Sequence, residues 1–150
     1  MTPKTTTLLL RISAVLWVVW GLVHVLAGVM TVSQGTTDAV RGIADGVDPE
    51  ALAFDYPAAA GAIINQHGFN LGWIGLTTFI GAFWVWRGSA TAVFVVALVG
   101  WLADLGYFLF LDLGGFVRFV PGTVMTIVST AAVVLSFVAH FRGTKVSSTA

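Results

Sequence analysis

The sequence predicts an all-α, polytopic membrane protein: a four-transmembrane-helix bundle with a long extracytoplasmic loop between the first two helices. Three observations carry that expectation. Hydrophobic residues make up 57% of the 150 positions and charged residues only 9%, against roughly 25% charged in a soluble domain. A chain this short has room for one small core, so the surplus apolar surface must face something like hydrocarbon. Uncharged runs over 12–37, 56–86 and 119–141 each exceed the ~20 residues that span a bilayer, and a further run over 88–111 is interrupted by Asp104 alone. Without water, every backbone N–H and C=O needs an internal partner, and a helix supplies it.

The helices are expected near 10–32, 62–86, 90–112 and 120–141, within a single domain over 1–150. The first starts behind Lys4 and Arg11 like a secretory signal, but its apolar stretch is too long and carries Trp17, Trp20 and His24, so it is read as retained. Lys4, Arg11, Arg87, Arg142 and Lys145 then share one side, with only Arg41 and Arg118 opposite. The positive-inside rule places both termini in the cytoplasm and makes this a multi-pass cell-membrane protein. The outer lid loop, 33–60, is acidic, with Asp38, Asp45, Asp48, Glu50 and Asp55 against Arg41. Within it Asp48-Pro49-Glu50 reads as an N-cap followed by proline at the first helical position, and Thr37-Asp38 as the cap of a second short turn.

At about 100° per residue, each helix has one polar or small face. Ser13, Trp17, Trp20, His24, Gly28 and Thr31 share a face of the first, with Val15, Val19, Leu22 and Leu26 opposite, toward lipid. The second puts His67, Asn70, Ile74, Thr77, Thr78 and Gly81 together, and a seam of Gly68, Gly72 and Gly75 about 120° away. Such small residues let another helix backbone approach where hydrophobic driving force is absent. Phe69, Trp73, Leu76, Ile80 and Trp84 are left for lipid. In the third, Ala97, Gly100, Asp104, Phe108 and Leu111 align with Tyr107 beside them; in the fourth, Gly122, Thr123, Thr126, Ser129, Thr130 and Val133.

Several function classes drop out. Net charge is zero and no basic run exists, so a nucleic-acid partner is not expected. With no cysteine, disulfide, thiolate, cysteine-zinc and iron–sulfur chemistry are excluded. No HExxH or close histidine pair is present, so no metal site is expected, and the sequence names no cofactor.

What remains is a polar level in the outer half of the bundle. At ~1.5 Å per residue, His24 stands roughly 20 Å above Arg11, Asp104 roughly 20 Å into its helix, and Thr126 and Thr130 at a similar depth. Asn70 and His67 sit higher, near Asp112 and Arg118, which are expected to pair as a gate at the outer mouth. Asp104 is the most informative residue, because an intramembrane carboxylate costs ~2.5–3.5 kcal/mol to insert and needs a partner. His24, Tyr107 or hydroxyls of the fourth helix are the candidates. A His24–Asp104 couple has the residue types for acid–base catalysis or ligand binding; the bland alternative is polar glue between helices. The expected ligand site therefore comprises His24, His67, Asn70, Asp104, Tyr107, Thr126 and Thr130. It suits a small-molecule or lipid-like ligand. The rival readings are a non-enzymatic subunit that packs through its glycine seam on a membrane-protein partner or a second copy, and a small proton-coupled transporter.

Overall fold

The computed structural model describes residues 1–147, with side chains described as far as Gly143; the Lys145 side chain, one of the expected cytoplasmic cations, lies outside the described residues. The regular elements are α1 (Pro3–Ser33), α2 (Thr36–Ile43), a 3-10 turn (Pro49–Leu52), α3 (Ala58–Trp86), α4 (Ala90–Asp112) and α5 (Phe119–Gly143 as an apolar span), and no strand occurs among the described residues. Four of these, α1, α3, α4 and α5, are long and apolar enough to cross a membrane. The first and second of them start earlier than the sequence suggests, and the fourth stays helical to Ser147, beyond the expected 141. α1 starts earlier because Thr2 caps it, accepting from Thr5 N–H, with Pro3 at the first helical position. α3 starts at Ala58, directly after Pro57.

Local chemistry sets the connections. Gly88 ends α3 at φ +81, a left-handed position that costs glycine little. Ser89 then caps α4 by accepting from Ala92 N–H. Asp48 accepts from Glu50 N–H ahead of Pro49, as the sequence suggests. Thr37 caps nothing: α2 begins a residue earlier, behind Gly35, and the Thr37 hydroxyl donates to the Phe54 carbonyl instead.

α1 packs chiefly on α3 and next on α5, and α4 closes the ring between α3 and α5. The glycine seam makes the α1–α3 contact. A Cβ on Gly28 would meet the backbone of Gly68 and Gly72, and one on Gly21 that of Gly75. Rising numbers on α1 oppose falling numbers on α3, so the helices run antiparallel with their backbones almost touching. The Gly68 and Gly75 faces of the seam are therefore taken up by the chain's own first helix, while the Cβ direction of Gly72 stays open. Ser13 fastens α1 to α5 by donating to the Ala132 carbonyl at 2.7 Å.

Packing differs between the two ends of the bundle. Trp17, Trp20, Val85, Val93, Val96 and Ala132 form a tight core toward the terminal end. Toward the lid, α4 is loosened by π turns at Ala97–Trp101 and Phe108–Asp112, and α5 begins with another whose Val120 is non-helical. Such turns insert a residue and redirect a helix. The lid is latched over this end: Gly46 N–H donates to Phe116 O at 2.9 Å and Arg118 N–H to Asp45 Oδ1 at 2.8 Å.

Candidate functional site

Asp104 lies in the α-helical stretch Leu102–Tyr107 between the two π turns of α4, almost fully buried. Two groups on consecutive turns of α1 meet its carboxyl. The Trp20 ring N–H donates to Oδ2 at 2.6 Å, and His24 Nε2 stands 3.5 Å from Oδ1. Because Trp20 and His24 are four residues apart on a helix, their rings stack, with centroids 3.6 Å apart and planes within 20°. The Trp20 indole thus supports the imidazole by its face and the carboxyl by its edge.

The protonation pattern follows from the partners. His24 Nδ1 is 2.9 Å from the Trp20 backbone carbonyl, an atom that only accepts, so Nδ1 carries a hydrogen. A neutral imidazole then presents its lone pair at Nε2, toward a carboxyl oxygen that also accepts. Nε2 faces Asp104 Oδ1 at 3.5 Å, longer than the usual ~2.7–3.2 Å of an N–H···O hydrogen bond. His24 and Asp104 form a close polar pair with side-chain exposures of 13% and 3%.

The couple forms the floor of a cavity of about 450 Å³, within the size range of small-molecule sites. Its walls are mostly apolar, from Val23, Ala27, Leu71 and Met125, with His67 and Tyr107 as polar groups above the floor. α2 roofs it through Asp38, Ala39, Gly42 and Ile43. On one side the wall consists of Leu26 and Met30, which are 59% and 48% exposed on the bundle's outer surface. Pro121 and Gly122 of α5 also line it. The cavity therefore reaches the bundle surface at Leu26 and Met30 of α1.

Of the residues expected at the site, His24, His67, Asp104 and Tyr107 line this cavity. Asn70 does not: its side-chain oxygen accepts from the Trp73 ring N–H at 3.1 Å. The glycine seam fixes how α3 is turned, and at about 100° per residue Asn70 lies on the side of α3 opposite that seam. Thr130 is also elsewhere, exposed and accepting from Trp101 at 3.2 Å; α5 buries Ser129, Val133 and Ser136, which turns Thr130 outward. The Thr126 hydroxyl is buried and without a partner, outside the cavity lining. The expected Asp112–Arg118 gate pair is not formed among the described residues. Asp112 Oδ1 accepts from the Thr123 hydroxyl at 2.9 Å and its Oδ2 is buried without a partner. Arg118 is exposed, and its backbone is held by Asp45. No group of three or more His, Asp or Glu side chains gathers among the described residues.

Sequence reasoning missed two contributors. The sequence puts Trp20 on the inward face but not beside Asp104, yet its N–H donates to that carboxyl; an inward tryptophan four residues before an inward histidine was the available signal. The lid residues Asp38 and Gly42 have no periodic signature, because a loop's fold depends on what it lands on.

No protein-family model, curated protein or solved structure matches this chain.

Proposed function

We propose that this chain is an integral membrane protein with both termini on the cytoplasmic side, which binds a small apolar or lipid-like molecule in the cavity between α1, α3, α4 and α5 and beneath the α2 lid. The observation that carries the reading is an apolar chamber of about 450 Å³ with one close polar pair, His24–Asp104, at its floor. An apolar enclosure with few convergent polar groups is the usual form of a small-molecule site. Leu26 and Met30, in the wall and exposed on the bundle surface, favour a ligand that arrives from the outer leaflet. The rival reading, a subunit docking through its glycine seam, has less support, since α1 packs on Gly68 and Gly75 of that seam. A second reading draws on the couple itself: His24 as acid or base with Asp104 orienting it would serve proton transfer to a bound substrate or proton-coupled transport.

Extraction tests this directly. Protein purified in mild detergent is extracted with organic solvent and the extract examined by mass spectrometry, beside an Ala27→Trp variant whose indole fills the chamber. A molecule enriched with the wild type and lost from folded Ala27→Trp is the expected result. An equal extract from both overturns the ligand reading. Because the chain has no cysteine, single cysteines placed at Thr5, Ser89 and Asp48 report topology without background. A membrane-impermeant maleimide applied to intact cells should label only the Asp48 position. Labelling at Thr5 or Ser89 refutes the orientation, and release of the chain by alkaline carbonate refutes membrane insertion.

A further inference from the structure

A second, separate groove runs up the surface between α1 and α3 at the end of the bundle bearing the termini. It measures about 620 Å³ and is wholly apolar, lined among others by Val15, Val18, Ile80, Phe83 and Trp86. Two arginines stand at its mouth. The Arg11 guanidinium lies 5.1 Å from the Trp86 ring centroid, and that of Arg87 lies 4.0 Å from Phe83. Both rings belong to the groove wall. Neither arginine is in an ion pair among the described residues, and every Asp and Glu side chain lies at positions 38–112, toward the opposite end.

From this arrangement we infer that the α1–α3 groove is a binding site for one anionic phospholipid of the leaflet on the side of the termini, an acyl chain lying in the groove and the phosphate held by Arg11 and Arg87. Charge complementarity identifies the occupant. A guanidinium stacked on a ring has its face covered and its N–H edges free, and those edges match a phosphate in bidentate fashion. The stacking also restricts the two long side chains before any lipid arrives, which lessens the ordering cost of binding. The apolar groove begins one helical turn beyond Arg11, as it must for a molecule whose charged head and chain are covalently joined. Trp86 sits at the junction, where an interfacial tryptophan belongs. The inference rests on the bundle lying in a bilayer and is independent of the cavity and of what it binds.

Native mass spectrometry of delipidated protein titrated with phosphatidylglycerol and phosphatidylcholine of identical acyl chains tests it. A basic side chain at an anionic lipid is worth about fivefold in affinity, so two give the wild type about a 30-fold preference for phosphatidylglycerol. The double variant Arg11→Gln, Arg87→Gln should bind both lipids at the phosphatidylcholine level, whereas Arg11→Lys, Arg87→Lys should keep most of the preference. Val15→Trp, at a lipid-facing position of the groove wall, should weaken both lipids alike. Equal binding of the two lipids by the wild type overturns the inference, as does a preference untouched in the Gln variant. Displacement by inorganic phosphate with no effect of Val15→Trp also overturns it, because the site would then recognise a free anion. Failure of the membrane reading is distinguishable, since the chain would leave the membrane pellet under alkaline extraction, whereas failure of the lipid site is read on protein retained there.

Discussion

Replacing Trp20 by Phe tests whether the Asp104 carboxyl is held as the geometry indicates. Phe keeps a ring to stack on His24 and removes the N–H that donates to Oδ2 at 2.6 Å. Interhelical polar contacts inside membranes average about 0.6 kcal/mol with a maximum near 1.7. This bond belongs at the upper end, because it is short, is made to a carboxyl group and leaves a buried acceptor short of a partner, a loss of ~1–3 kcal/mol. Contracting the indole to a phenyl adds about 1 kcal/mol of cavity cost. Trp17→Phe isolates that second contribution: Trp17 is equally buried and its ring N–H enters no hydrogen bond among the described residues. The expected costs are therefore about 3 kcal/mol for Trp20→Phe and about 1 kcal/mol for Trp17→Phe. At 2–4 °C per kcal/mol for a chain of this size, the two midpoints should differ by roughly 4–8 °C. The assay is unfolding in mixed micelles followed by far-ultraviolet circular dichroism, which does not depend on the tryptophan removed. On an Asp104→Leu background, Trp20→Phe should cost only the ring contraction. If the two Phe variants agree within ~0.5 kcal/mol on the native background, the indole–carboxyl bond contributes nothing and the case for a preorganised floor fails.

The remaining predictions concern the seam and the couple. Gly28→Ala puts a methyl 2.5 Å from both the Gly68 carbonyl oxygen and the Gly72 nitrogen, so the helices must separate at a cost of about 1–3 kcal/mol. Gly72→Ala, with nothing within 4 Å of its new methyl, should be neutral or gain up to ~1 kcal/mol from helix propensity. Comparable loss from both, in the same unfolding assay, would mean that the α1–α3 register is wrong. Nitrogen-15 NMR of labelled histidine should show His24 Nδ1 protonated throughout. In Asp104→Asn the Nε2 resonance should move while that of Nδ1 stays; a neutral Nε2–H tautomer in the wild type would refute the Nδ1 bond to the Trp20 carbonyl.

The sequence by itself determined the four long helices, their apolar outer faces and their polar inner ones. In hydrocarbon the backbone has no alternative to internal hydrogen bonding, and a side chain's face follows from its position along a helix. Hence Val15, Val19, Leu22, Phe69 and Trp84 are exposed, and Ser13, Trp17, Gly28 and Asp104 buried, where periodicity puts them. It also put His24 among three candidate partners for Asp104, because a carboxylate on an inward helix face needs a partner and His24 lay at its depth. Only the tertiary structure decided what stands beside what. Asn70 and Thr130 share polar faces in projection, yet both are rotated away from the cavity, because the angle of α3 is set by glycines meeting Gly21 and Gly28 and that of α5 by burial of Ser129 and Ser136. The Trp20 bond to Asp104 depends on how closely α1 and α4 approach, and the π turns of α4 change that spacing without any sequence signature. The lid latched by Asp45 onto the Arg118 backbone joins loops 73 residues apart. A helix writes its periodicity into its own residues, whereas the rotation of one helix against another is written jointly and emerges only when both are packed.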